Sequence, residues 1–320
     1  MTLILSRASI DYVLQVTDRL VTQGDNPFDP LANKNIVYCS KNSLVAIGYT
    51  GFAFIGDAPT DQWIAQQLIG EPFDRGIRMG RLPQQLDQGQ SIMLLKERLD
   101  AAPIPARWQK QWKSQTFILC AQGWPWSKTR VRPVIEWLAK NPGQDEFAIG
   151  RRQRHWHLER RSLPDGAMGI RFCLSAAPPG NISTAEMKAL SARIQDAPCE
   201  RTAGDMVHAV RAVASRNPAV VPHCMSILIT PPRIGFATIR FIPASRREAI
   251  LETATLSRRL IAAYTPWIVG PNFAATPSLI TGSVRTEIPL GPYVVQIEAA
   301  ELSGGPILHT QTTQVRPKAP

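Results

Sequence analysis

Runs of strands alternate with pairs of helices along this chain, and that order limits the fold more than any single motif does. Residues 2–7 read as a short apolar strand. Residues 10–18 set Tyr12, Leu14 and Val16 against Asp11, Gln15 and Thr17, the two-residue period of a second strand. Residues 6–9 are short enough to turn a hairpin between them. A turn-rich loop over 23–30 leads to two more strands, 35–39 and 43–48, joined at 40–42.

Helices follow. Residues 60–69 start at a Thr60 cap and carry Trp63, Ile64 and Leu68 at helical spacing. Residues 74–81 read as loop. Residues 83–100 read as a longer helix with Ile92, Leu95 and Leu99 on one face and Gly89 in its middle. Four strands come next, at 115–121, 131–138, 153–161 and 169–175. The helix over 183–195 opens with a capping box from Ser183 to Glu186. A helix over 202–214 and strands over 225–230 and 234–242 complete the pattern. Such an order predicts an α+β fold: a four-layer αββα sandwich, two stacked antiparallel sheets flanked by helices. The pattern assigns residues 1–243 to this sandwich. Residues 244–320 form an extension: a helix over 246–263, a Pro/Gly-rich crossover over 265–277 whose prolines argue against a central strand, a short strand over 294–298 and a loose tail.

Composition narrows the function. The 36 Lys and Arg against 25 Asp and Glu leave a net charge of +11, which raises nucleic acid as a partner. The densest basic stretch, 151–161, reads as an exposed, charge-blunted edge strand, so nucleic-acid binding is the lesser reading. Five scattered cysteines include no C-x-x-C pair, which argues against a disulfide framework and a thiolate zinc site. His155 and His157, at i and i+2 in the Arg-rich stretch, read as a solvated face rather than a metal pair. Trp124, Trp126 and Trp137 read as core or interface anchors. No phosphate-binding glycine loop and no G-x-S-x-G is present. No apolar run reaches the length of a membrane span, and the first ten residues lack the features of a signal peptide. The expectation is a cytoplasmic protein without metal, cofactor or membrane partner.

Four residues near the start share a spacing. Thr2 follows the initiator Met; Asp18 ends the second strand; Lys34 precedes the third; Gly48 ends the fourth and begins Gly48-Tyr-Thr-Gly51. With the element order, this spacing resembles the N-terminal-nucleophile hydrolases, and within them the proteasome β-subunit and its bacterial relatives. The motif covers about the first 70 residues, and the element order extends the likeness to about residue 243. The resemblance implies that Met1 is removed and that Thr2 attacks an amide carbonyl, its own α-amine accepting the hydroxyl proton. Lys34 would act by its charge, held by Asp18. The Gly48 N–H would bind the oxyanion. A methionine aminopeptidase should accept the Met-Thr start. The family's later serine and aspartate positions are matched only by Ser175 and Ser215, with His223 a further polar candidate. The implied substrate is a peptide or small amide, and the implied assembly a homo-oligomer. The competing reading is the same scaffold used as a non-catalytic binding or assembly module.

Overall fold

The computed structural model describes residues 3–9, 11–19, 21–23, 26–29, 32–73, 75–112, 115–123, 132–140, 144–152, 172–176, 182–194, 197–218, 220–231, 235–242, 262–264, 266–277, 279–281, 285–290 and 293–299. The chain opens with β1 (Ile4–Ala8), β2 (Val13–Asp18), β3 (Val21–Gln23), β4 (Asn26–Asp29), β5 (Asn35–Cys39), β6 (Ser43–Thr50), β7 (Phe54–Ile55) and β8 (Ala58–Pro59). Next come α1 (Thr60–Ile69), β9 (Ile77–Met79), α2 (Gln88–Asp100), α3 (Gln109–Trp112), β10 (Thr116–Gly123), β11 (Arg132–Lys140), β12 (Phe147–Arg152) and β13 (Phe172–Ala176). The rest is α4 (Thr184–Arg193), α5 (Cys199–Ala214), β14 (Cys224–Ile229), β15 (Phe236–Ile242), β16 (Ala262–Tyr264), β17 (Trp267–Gly270), β18 (Phe273–Ala275), β19 (Leu279–Thr281), β20 (Arg285–Leu290) and β21 (Tyr293–Ala299).

The fold is α+β, built on two large sheets. One has seven strands in the order β13-β1-β2-β14-β15-β21-β20, the other eight in the order β12-β11-β10-β6-β5-β17-β18-β9. Neither is wholly antiparallel, as the sequence pattern had suggested. β21 lies parallel to β15, and β17 lies parallel to β5. Both parallel strands come from the chain beyond residue 243, so that segment contributes to each sheet.

Alternation along the strands sorts the apolar side chains into three clusters. Leu3, Leu5, Leu14 and Val16 pack with Met206, Val210 and Val213 of α5 and with Leu190 of α4. Ile36, Tyr38, Val45 and Ile47 pack with Ile64 and Leu68 of α1 and with Ile92, Leu95 and Leu99 of α2. The third cluster draws on both sheets, with Ile4 and Val13 meeting Val37, Leu44 and Ile268. Both faces of the central strands are therefore buried.

The helices begin and end where local chemistry allows. In α2 the Asp87 side chain accepts from Gln90 N–H while the Gln90 side chain caps the Asp87 N–H, and Ser183 and Glu186 do the same for α4. The longer helix starts at Gln88 rather than 83, so Gly89 sits in its first turn, where its lack of helix propensity costs little. Thr60 is the first helical residue, not the cap. Its hydroxyl donates to Phe52 O at 2.8 Å, and Gly70 ends α1 with φ +86°.

Other expectations shift for physical reasons. The first hairpin turns at Ser9–Tyr12, because the Ser9 hydroxyl accepts the Tyr12 N–H at 3.1 Å while Ser6 stays in the ladder opposite Gln15. The loop read over 23–30 contains part of the small hairpin β3–β4, and the loop read over 74–81 supplies the edge strand β9. The crossover read over 265–277 instead places β17 inside the eight-stranded sheet. Pro266 and Pro271 fall just outside β17, where no ladder donor is needed. Trp137 is half-buried and lies over Gly150 across the ladder, close enough that a Cβ there would strike its ring. The helix read over 246–263 lies outside the described residues except at its end, where β16 is a strand. The strand read over 153–161, and Trp124, Trp126, His155 and His157, also lie outside them. Among the described residues no helix is long and apolar enough to cross a membrane.

Candidate active site

Two strand ends bring a carboxylate and an ammonium together. Asp18 closes β2, and Lys34 stands one residue before β5. Lys34 Nζ lies 3.1 Å from Asp18 Oδ2, with the two side chains 3% and 0% exposed. A pair this deep is sustained only while both charges are present, since either alone would bear the full cost of leaving water.

The second carboxylate oxygen reaches the start of the chain. Asp18 Oδ1 accepts the Leu3 N–H at 2.8 Å, and the Asp18 N–H donates to Leu3 O at 3.2 Å. One carboxylate thus bridges the lysine and the backbone of the residue that follows Thr2. Thr2 itself lies outside the described residues.

Backbone contacts fix Lys34 from its own side. The Tyr49 N–H donates to Lys34 O at 3.0 Å, and the Tyr49 hydroxyl donates to Asn33 O at 3.1 Å. Gly48, which the sequence pattern set at the end of its strand, lies inside it: β6 continues to Thr50, and Gly48 pairs with Asn35 on one side and Ile118 on the other. A Cβ at Gly48 would stand 3.0 Å from Gln15 Oε1 and 3.2 Å from Asn35 Oδ1. Glycine is needed here for close approach: the amides of both sheets meet where a side chain would be.

These amides belong to a polar seam that strand periodicity alone does not reveal. Ser6, Gln15, Thr17 and Asn35 are all fully buried. Gln15 Nε2 donates to Ser6 Oγ at 3.0 Å. In the sequence, Gln15 and Thr17 look like the wet face of an amphipathic strand. In the fold that face meets the other sheet. The signal available was the position of Asn35, a polar residue at a strand start otherwise as apolar as a core strand.

The later candidates lie apart from this cluster in different ways. Ser175 sits in β13, its backbone opposite Leu5 of β1. Ser215 caps the end of α5, exposed, and its hydroxyl donates to Ala212 O at 2.9 Å. His223 is buried one residue before Cys224, whose backbone pairs with Asp18. Burial first and the Asp18 charge second push the Cys224 thiol up to about 12. Among the described residues no cluster of three or more His, Cys, Asp or Glu could hold a metal.

Comparison with known proteins shows no family for this chain. No protein-family model and no curated protein matches it. Solved structures with a similar chain course include Anbu (ancestral beta-subunit) from Yersinia bercovieri, 13% identical at a TM-score of 0.44, covering 72% of this chain and 82% of that one. Anbu from Hyphomicrobium sp. strain MC1 is 10% identical at a TM-score of 0.42, covering 71% and 82%. Values this low establish neither a shared fold nor a shared activity. The membership that the Thr2-to-Gly48 spacing implied is not upheld: no family model matches, and the chain is not placed among the N-terminal-nucleophile hydrolases. The mixed sheets, each completed by a parallel strand from beyond residue 243, are where the architecture departs from the expected antiparallel pair.

Proposed function

We propose that this chain hydrolyses amide bonds, with the Thr2 hydroxyl as nucleophile once Met1 is removed. The observation that carries the reading is the Asp18 carboxylate, which holds Lys34 Nζ with one oxygen and the Leu3 N–H with the other. That bridge ties a buried cation to the backbone of Leu3, the residue that follows Thr2 in the sequence. An α-amine has a pKa of about 8 in water. A neighbouring ammonium disfavours a second positive charge, so more of the amine is neutral and able to take the Thr2 proton. The hydroxyl oxygen then bonds to the substrate carbonyl carbon. The departing amine leaves with the proton, and water hydrolyses the resulting ester to restore Thr2. The Gly48 N–H is the proposed donor to the oxyanion. The scaffold is read as four layers, helix pair, sheet, sheet and helix pair, with the site at one end between the sheets. Substrates would be peptides or small amides.

The test is the intact mass of the purified protein before and after a β-lactone probe, beside Thr2→Ala. The expected result is a chain lacking Met1 and a single adduct that Thr2→Ala abolishes. Full retention of Met1, or an adduct that survives Thr2→Ala, rejects the mechanism. A second reading, a binding or assembly module without catalysis, draws on Ser215, whose hydroxyl is engaged in its own helix end. It expects a Met1-free chain that the probe leaves unmodified.

A further inference from the structure

The polar seam contains groups that the proposed chemistry does not use. Asn35 Oδ1 and Nδ2 and Thr17 Oγ1 are buried and have no hydrogen-bond partner among the described residues. Both residues are 0% exposed. Such groups are rare, because each orphaned donor or acceptor forfeits the hydrogen bonds it had in water. Their positions are not random. Thr17 is the chain neighbour of Asp18, and Asn35 of Lys34, so each lies one residue from the ion pair along the chain, with its side chain turned to the other side of the backbone. On β2, Thr17 shares a face with Val13, which points into the cluster between the sheets. Asn35 shares a face with Val37 in the same way. The contact of Gln15 Oε1 and Asn35 Oδ1 around Gly48 shows that the amides of the two sheets meet in this region.

We propose that Thr17 and Asn35 bind ordered water between the two sheets, and that this water solvates the Asp18–Lys34 pair from its inner side. Water matches the chemistry on offer. It donates to Asn35 Oδ1 and accepts from Asn35 Nδ2 or Thr17 Oγ1, and it fits the two-to-four polar partners that interior water sites show. No larger species suits residues with no exposure. Thr17 and Asn35 are then positioning residues: they set the hydration of Lys34, and through it the effect of its charge on the terminus. Only this last step rests on the hydrolase reading.

A crystal structure of the full chain tests the binding directly. Density is expected within about 3.2 Å of both the Asn35 amide and Thr17 Oγ1. Thr17→Val and Asn35→Leu, alone and together, test its energetics by thermal melting. Two residues that share a water are coupled, so each single variant should melt lower and the double should lose less than the sum. Thr17→Ser, which keeps the hydroxyl, should melt like the parent. Absence of density, a rise in melting temperature for both single variants, or strictly additive losses overturns the proposal. In the lactone assay, Thr17→Val and Asn35→Leu should shift the pH midpoint of adduct formation while Thr17→Ser does not. An unchanged midpoint in both overturns the positioning role. If the parent forms no adduct at all, the hydrolase reading fails, and the crystallographic and melting results still decide the water site.

Discussion

The space between the two sheets is filled differently at its two ends, although the same strands build both. At one end Val13, Val37, Cys39, Leu44 and Ala46 pack against Ile229, Ile239 and Ile268. At the other, the same faces of β2, β5 and β6 carry Gln15, Thr17, Asn35 and Gly48, beside the buried Asp18–Lys34 pair. Backbone geometry is shared, so the difference is chemical. The apolar end gains from every methylene removed from water, at about 25 cal/mol per Å². The polar end gives up that gain and also bears the desolvation of two charges. A chain selected for stability alone would have continued the apolar pattern. The contrast is the reason the proposed function is assigned to the polar end.

The largest effects should come from breaking the polar end halfway. Asp18→Ala leaves Lys34 charged without its partner and the Leu3 N–H without its acceptor. Urea denaturation should show a loss of about 3–5 kcal/mol, the usual cost of breaking a buried pair. Asp18→Leu combined with Lys34→Met should recover much of that loss while still forming no lactone adduct. If Asp18→Ala costs under about 1 kcal/mol, in the range of exposed pairs, the pair is open to bulk solvent and the contrast fails.

The apolar end should respond with stability and nothing else. Leu44 is fully buried at the far end of β6 from Gly48. Leu44→Ala should cost about 3 kcal/mol through lost transfer energy and the cavity left behind. Adduct formation, measured well below the melting temperature, should keep the parent's rate. A Leu44→Ala variant that stays stable but loses labelling would mean the two ends are one cooperative unit.

How much of this was legible beforehand divides along the same line. Apolar periodicity was enough for the first strands, α1 and the Leu95–Leu99 face of α2, and Ser183 with Glu186 announced the capping box of α4, whereas the Asp87–Gln90 box was missed because that helix was read from 83. The spacing of Asp18 and Lys34 was visible, and the fold brings those side chains together. The seam was not visible, because Gln15 and Thr17 have the alternation of a solvated strand face, and only the second sheet shows where that face points. The strand over 294–298 was read and is β21, but its parallel place beside β15 was hidden for a related reason, as was β17. Each pairs with a strand far away in sequence, β5 and β15, and the prolines bounding β17 looked like breakers within it rather than its limits.

Gly48 belongs to the polar end but carries no charge, and should show an intermediate effect. A methyl group there would press on Gln15 Oε1 at 3.0 Å and Asn35 Oδ1 at 3.2 Å. Overpacking of this kind costs about 1–3 kcal/mol. Gly48→Ala should therefore be milder than Asp18→Ala in denaturation, yet it should suppress the adduct beyond its effect on folding, because the stretch of β6 carrying the proposed oxyanion donor, between β5 and β10, is displaced. Unchanged labelling in a folded Gly48→Ala protein would remove Gly48 from the mechanism.

The smallest effect separates the ends by their thiols. Burial pushes the Cys39 thiol, at the apolar end, from its ordinary 9 up to about 12. Cys224, whose backbone pairs with Asp18, also reaches about 12, from burial first and the Asp18 charge second. In both cases the unfolded chain releases the thiol proton near pH 9 while the folded chain holds it. The stability tied to each thiol is therefore intact below pH 9 and is lost as pH rises from 9 toward 12. Cys39→Ala should flatten that alkaline decline relative to the parent, after subtraction of its constant loss at neutral pH. Asp18→Ala should lower the Cys224 value and leave the Cys39 value in place, because only Cys224 feels that carboxylate. Stability measured from pH 8 to 11 in the parent and the two variants checks both. If Asp18→Ala alters the decline through Cys39, so that Cys39→Ala in that background no longer flattens it, the field of the ion pair reaches the apolar end and the two ends are not electrostatically separate.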